Sequence, residues 1–324
     1  VDLDEEAILN FFCHDYIPTP VISPWNKGGG FYTGPASKVI EAMVHNTDPR
    51  FDPFRKAIEA VRAWTDVSFD RESKTDNKEF ILASSRASLP ENALPWLDAI
   101  GALRGDDSIS YNPALGTGGN EGNFEMSINF MQRVMELFGA KEPATTRELA
   151  RSSLFRTSVP GLTEASIGQL SPGRAGGYNQ GMGIEKKDFK INPWDYVLMI
   201  EGAVVLAGSA VRRYPTADRS YFTSPFTVRY SSAGVPSGVS DETSRYETWL
   251  PIWRNPASWP EIRHLFGEGR STVGRRVSAN GLDFSRAAGT LGVDRGIESF
   301  ERHVFLKRRG DSFIALPAGR ISVG

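Results

Sequence analysis

The stretch that most constrains the fold is Tyr196–Val211, YVLMIEGAVVLAGSAV, the most apolar run in the chain. It falls short of the ~20 residues that cross a bilayer, and Glu201 interrupts it. A helix this apolar belongs inside a protein core, so the rest of the chain must supply apolar faces to cover it. The residues just before it carry helix-start chemistry. Asn192 suits the N-cap, and Pro193 suits the first helical position, where its missing N–H costs nothing. Arg212 and Arg213 then fall where a helix C-terminus favours cations. Glu201 requires a partner, either a backbone amide or an arginine.

The order of glycine-rich loop, cap and helix occurs twice. SPGRAGGYNQGMG, Ser171–Gly183, precedes the run above, and NPALGTGGNEGNFE, Asn112–Glu125, precedes Phe124, Ile128, Met131, Met135 and Phe138 at helical spacing, with Asn123 as the expected N-cap. Further helices are expected over Glu5–Cys13, from Pro35 to His45, over Phe54–Trp64 behind Pro53, and near Glu91–Ala102. Tyr16–Pro35, with prolines at 18, 20 and 24, reads as a long exposed extended loop, and residues 66–79 as a surface loop or disordered joint. FTVRY and ETWLPIW read as strands. The C-terminus reads as two helices and then HVFLKRRGDSFIAL, a hairpin turning near Arg309-Gly310-Asp311. The expected class is α+β, mainly helical, with long glycine-rich loops and a few short antiparallel strands or hairpins. Three regions follow: 1–110, helical with loops; 111–220, glycine loops and helices; 221–324, a basic α/β region.

Charge limits the function classes. A formal net charge of −2 and a pI near 6.2 exclude a binder whose whole surface is basic, so any nucleic-acid contact is local. Residues 251–324 carry 12 Lys/Arg against 7 Asp/Glu, whereas residues 1–100 carry 10 against 16. A single cysteine, Cys13, excludes an internal disulfide and suits a reducing cytosol, and four scattered histidines give no metal-ligand spacing. The opening VDLDEEAILNFF has no signal-peptide pattern and fits a chain that begins inside a longer protein.

For Asn112–Glu125 three readings stand. A phosphate cradle would use the bare backbone ahead of a helix N-terminus. Against it, Gly122 is followed by Asn123 and Phe124 where a Walker loop needs lysine and Ser/Thr, Glu121 occupies the place of a dinucleotide fingerprint's third glycine, and Glu121 and Glu125 repel phosphate. A plain cluster of turns is the second reading. The third is nucleic-acid contact through the uncharged donors and acceptors of Asn120 and Asn123. In the first loop, Asn26, Lys27, Gly28, Gly29 and Gly30 sit between Trp25 and the Phe31-Tyr32 pair, a composition that fits base stacking or a duplex wedge, and equally a loop pinned in the core by Trp25. Arg174, Tyr178, Asn179 and Gln180 repeat these residue types in the second glycine loop. The C-terminal cations, Arg275 and Arg276 among them, read as a solvated face or, with the helix pair and hairpin, as a weak match to a winged helix. Nucleophilic chemistry finds no G-x-S-x-G, and Cys13 reads as packed with His14 on the surface.

Six segments in one order, PTPVISPWNKGGGFY, LPWLDAIGAL, LGTGGNEGNFEMSINFMQR, INPWDYVLMIEGAVVLAGSAVRR, FTVR with SSAGVPSG, and GVDRGIESFERHVFLKR, resemble the Cas-eight-like large subunit of the type I-G (formerly I-U) CRISPR effector complex, the Csx-seventeen family. The resemblance covers most of the chain, though family members are typically longer at the N-terminus. Where the family pattern is nearer NGGSGF, this chain has Asn26-Lys27-Gly28-Gly29-Gly30-Phe31, so Lys27 would add a phosphate contact or alter preference.

The resemblance implies a non-catalytic subunit of a prokaryotic, cytoplasmic surveillance complex, without cofactor or membrane. Its implied partners are guide RNA, the other Cascade subunits, target double-stranded DNA and a helicase-nuclease recruited after R-loop formation. Recognition of the protospacer-adjacent motif then needs few base contacts, because guide pairing reads the sequence. The residues expected to meet DNA are Asn26, Lys27, Gly28, Gly29, Asn120, Asn123, Arg174, Tyr178, Asn179, Gln180, Arg275 and Arg276. A scaffold role without motif reading and a nucleotide-binding enzyme are the rival expectations.

Overall fold

Helix starts in this chain follow the chemistry of the residues that precede them. Asp4 accepts from the Ala7 amide at 2.7 Å and starts α1 (Glu5–Asn10), while Pro143 occupies the first position of α7 (Pro143–Phe155). Asn192 accepts from the Trp194 amide at 3.0 Å and starts α8 (Pro193–Val205), as its sequence implied. The computed structural model describes residues 4–32, 34–68, 78–103, 109–112, 115, 120–121, 124–165, 190–206, 209–212, 220–229, 246–268, 272–273, 276–278, 280–289, 296–309 and 312–323. Among these the fold is α+β and mainly helical, with short antiparallel strands in small sheets.

The chain divides into two units that interleave along the sequence: residues 1–98, 118–168 and 174–204 form unit 1, and residues 99–117, 169–173 and 205–324 form unit 2. Residues 99–117 belong to unit 2 because β1 (Gly101–Leu103) and β2 (Ile109–Tyr111) pair with each other beside a second hairpin, β7 (Ser209–Arg212) with β8 (Ser220–Thr223).

Unit 1 is built from α1, α2 (Ser37–His45), α3 (Asp52–Ser68), α4 (Lys78–Ser88), the start of α5 (Leu94–Ile100), α6 (Met126–Met135), α7 and α8, with two minimal hairpins, β3 (Asn120–Glu121) with β4 (Phe124–Glu125) and β5 (Thr163–Glu164) with β6 (Lys190–Ile191). α3 runs beyond the expected Trp64 to Ser68 and so takes in the first residues of the expected loop 66–79, whose last two open α4; further along α4, Ile81 and Leu82 are buried. α8 buries Trp194, Tyr196, Val197 and Ile200, with the Trp194 ring 5.4 Å from Phe138 and 5.5 Å from Phe12. Its anchoring to α7 is polar as well. Asn192 donates to the Leu149 carbonyl at 2.8 Å, Trp194 Nε1 donates to the Thr146 carbonyl at 3.0 Å, and Ser153 donates to Asp195 at 2.6 Å. The expected arginine-rich end is different: α8 stops at Val205, Arg212 lies in β7, and Arg213 lies outside the described residues. No described helix is long and apolar enough to cross a membrane.

The segment after α1 overturns the expectation of an exposed loop. Its backbone is extended, as its prolines require, but Val21, Ile22 and Ser23 have no exposed surface and Trp25 only 2%. An extended segment in a core must satisfy its backbone polar groups without a sheet. Helix side chains do this here. Glu201 of α8 accepts from the Tyr16 hydroxyl at 2.7 Å, the Thr19 amide at 2.8 Å and the Thr19 hydroxyl at 2.7 Å, and Trp96 Nε1 of α5 donates to the Ile22 carbonyl at 2.9 Å. Glu201 thus meets the backbone amide its burial called for, together with two hydroxyls and no arginine in these bonds. Burial, then the neighbouring carboxylate, push the Tyr16 phenol far above its ordinary range, so it remains a donor.

Unit 2 is organised by a four-stranded antiparallel sheet in the order β14 (Ser312–Ser322), β13 (Ile297–Arg309), β10 (Tyr246–Trp253), β9 (Thr227–Arg229). β13 and β14 form the expected hairpin, paired out to Arg309 and Ser312. α9 (Trp259–Glu268) and α10 (Gly281–Gly289) cover one sheet face: Phe284 stacks on Trp249 at 4.6 Å and Phe266 meets Phe226 edge-on at 5.5 Å. A minimal hairpin, β11 (Thr272–Val273) with β12 (Arg276–Val277), lies between these helices in sequence.

Glu201→Ala leaves three donors of the buried segment without their acceptor and is expected to destabilise unit 1 by about 3 kcal/mol, whereas Glu201→Gln, which keeps one acceptor oxygen, costs about half as much. Urea unfolding followed by tryptophan fluorescence measures both; equal stability of Glu201→Ala and the parent would refute the anchoring role.

Candidate nucleic-acid interface

Of the three glycine-rich segments that sequence composition picked out, Asn26–Gly30 and Asn112–Glu125 are separated by about 90 residues in the chain, and the fold brings their described residues together. Lys27–Gly29 form a single 3-10 turn that lies against β4 and the start of α6. β4 pairs with β3, Asn120 opposite Glu125 and Glu121 opposite Phe124, so the end of the Asn112–Glu125 segment closes as a hairpin beside the first loop. Asn26, Gly28, Gly29 and Asn120 consequently share one neighbourhood at the N-terminus of α6.

Each glycine of the first loop is required by packing inside unit 1. A Cβ on Gly29 would stand 1.9 Å from the Ser23 carbonyl oxygen, a backbone atom with nowhere to move. One on Gly28 would meet Cγ of Glu125 at 2.8 Å. Gly30 adopts φ +86 and faces Ile40, Ala36 and Ile128 at 2.6–2.9 Å. The turn is closed by the Gly29 amide donating to the Asn26 carbonyl at 2.9 Å, and the Asn26 amide donates to the Ser23 carbonyl at 3.2 Å. Asn26 is only 4% exposed, and Trp25 is buried beside it. The glycines therefore reflect close approach of the chain to itself, and composition alone could not separate that from close approach to a groove.

The start of α6 differs from expectation in one residue. Its N-cap is Glu125, in extended geometry and 7% exposed, because Phe124 and Glu125 are taken up by the hairpin; Asn123 lies outside the described residues. A carboxylate there complements the positive end of the helix and disfavours a phosphate at the same spot. The apolar spacing was read correctly: Ile128 and Met131 are fully buried, and Phe138 continues the face in a π-helical turn, Glu136–Ala140. Phe31 and Tyr32 are half-buried, and burial raises the Tyr32 phenol, so it stays protonated at neutral pH.

Of the remaining expected contacts, Arg276 lies in β12 opposite Val273. Arg174, Tyr178, Asn179, Gln180 and Arg275 lie outside the described residues. Cys13 is half-buried and burial pushes its thiol up, with Arg147 acting in the opposite sense; His14 is exposed. Among the described residues no group of His, Cys, Asp and Glu is arranged to hold a metal ion. Sequence reasoning passed over Ser23, Ile40 and Ala36, the residues that dictate the glycines, because nothing local marks a residue as another segment's wall. Comparison with family models and with curated proteins returned no match.

Gly29→Ala is expected to cost about 3 kcal/mol or to prevent folding of unit 1, since the clash is with backbone. Gly202→Ala is the control: its Cβ meets nothing within 4 Å inside α8, and it should stabilise by about 0.5–1 kcal/mol. Thermal melts of the two variants should therefore move in opposite directions; a Gly29→Ala protein as stable as its parent would refute the packing account.

Proposed function

We propose that this chain is the non-catalytic large subunit of a type I-G-like CRISPR surveillance complex, which binds target duplex DNA, recognises the protospacer-adjacent motif and promotes R-loop formation. The observation that carries the reading is the resemblance of six segments to the Csx-seventeen family in one chain order. The physical character of the chain agrees with it. Guide pairing carries the sequence information in such a complex, so its large subunit needs few base-reading side chains and no strongly basic surface, consistent with a net charge of −2. In this reading Asn179, Gln180 and Arg174 read base edges and Tyr178 stacks, Lys27, Arg275 and Arg276 meet phosphates, and Asn26, Gly28, Gly29, Asn120 and Asn123 complete the set of residues assigned to DNA contact.

One observation favours a second reading. The first glycine loop is committed to packing inside unit 1, with Asn26 nearly buried, as expected of a scaffold that meets guide RNA and backbone subunits while the duplex is engaged elsewhere.

The test uses the assembled complex and duplexes with and without the motif. Substitution of Arg174, Asn179 and Gln180 by alanine should weaken motif-bearing duplex about tenfold while assembly and melting are unchanged. Unaltered affinity and motif preference, with duplex crosslinks falling outside these loops, would replace motif reading by the scaffold role. Duplex binding by the parent complex that ignores the motif would overturn the function.

A further inference from the structure

The first turn of α9 presents a tryptophan to solvent on a rigid mount. Residues 254–261 are all exposed, and within them Trp259 shows 56% of its surface. The mount is a capping box: Ser258 donates to Oε2 of Glu261 through its amide at 2.6 Å and its hydroxyl at 2.7 Å, and Ile262 donates back to the Ser258 carbonyl at 3.0 Å. These bonds hold the Glu261 carboxyl below its usual range, so it stays ionised and engaged with the helix start. Pro256 and Pro260 restrict the backbone on either side.

Helical spacing explains why the ring is out of place. Trp259, Ile262, Phe266 and Leu265 belong to one stripe, and Leu265 and Phe266 pack on the core of unit 2. Trp259 continues that stripe by one turn, yet more than half of its surface lies in water. Arg263 is one turn along on the same side and exposed, and the side chain of Arg254 is 77% exposed, with only a 3.6 Å contact to the exposed Glu298. An exposed aromatic ring with an exposed arginine one helical turn on and another five residues before it in the chain offers the pairing that binds an unstacked base and its phosphates, because every base has a π-face and each phosphate a charge.

We infer that Trp259, with Arg263 and Arg254, is a stacking platform for single-stranded nucleic acid. It rests on these side chains alone and does not require that the chain read a motif in duplex DNA.

The full chain is titrated with fluorescently labelled 15-mer oligo-dT and, separately, oligo-rU, and binding is followed by anisotropy. Trp259→Ala should weaken binding of at least one strand about tenfold, the more affected arm identifying DNA or RNA as the source. Trp259→Phe should stay within about twofold, since a smaller ring still stacks. Arg254→Gln with Arg263→Gln should reduce the salt dependence of binding. All these variants should melt with the parent, the side chains being exposed. Equal affinity of Trp259→Ala and parent for both strands, or no measurable binding by the parent, overturns the inference. So does a Trp259→Ala chain that keeps its oligonucleotide affinity but fails to join its protein partners, which would make the ring a protein seat. Motif preference in the assembled complex is read separately and should not change with Trp259.

Discussion

One carboxylate makes the architecture of unit 1 possible. Glu201 stands on the most apolar helix of the chain and accepts from Tyr16 and twice from Thr19, residues more than 180 positions away. The proline-containing segment cannot enter a sheet, and its prolines cannot donate, so its burial depends on side chains reaching its few free backbone groups. With Glu201 and Trp96 supplying them, Val21, Ile22 and Trp25 fill the core, and the glycine turn that follows is set against α6. The half-buried acid thus serves as the structural counterpart of a missing neighbouring strand.

The same dependence explains what could be read from the residues. Asn192 with Pro193, and the two C-terminal strands, were legible because caps and alternation are local. The stripe through Ile128, Met131 and Phe138 was legible because periodicity reports a buried face whatever covers it. Glu201 was legible as a group in need of a partner, while the identity of that partner was not, since Tyr16 and Thr19 are distant in sequence. Within Tyr16–Pro35, the part from Pro20 to Asn26 was misread as exposed because proline and glycine have the same composition in a surface loop and in an extended segment held by long-range hydrogen bonds. The cap of α6 moved from Asn123 to Glu125 because pairing with Asn120 and Glu121 claims the residues before it.

For the candidate interface, the consequence is a division of labour among glycines. Those at 28–30 are explained by Glu125, Ser23, Ile40, Ala36 and Ile128, so they need no external ligand. Under the proposed function, motif reading falls to donor-bearing side chains such as Arg174, Asn179 and Gln180.

In unit 2, Glu247 is wholly buried on β10, receives Arg302 at 2.7 and 2.5 Å and Trp249 Nε1 at 3.2 Å, and its Oε1 lies 1.5 Å from where a Cβ of Gly281 would be. The absent side chain at 281 and the long acid at 247 therefore occupy one volume. A methyl group gained at the start of α10 would displace the Glu247 carboxylate and, with it, the counter-charge that the arginine opposite relies on.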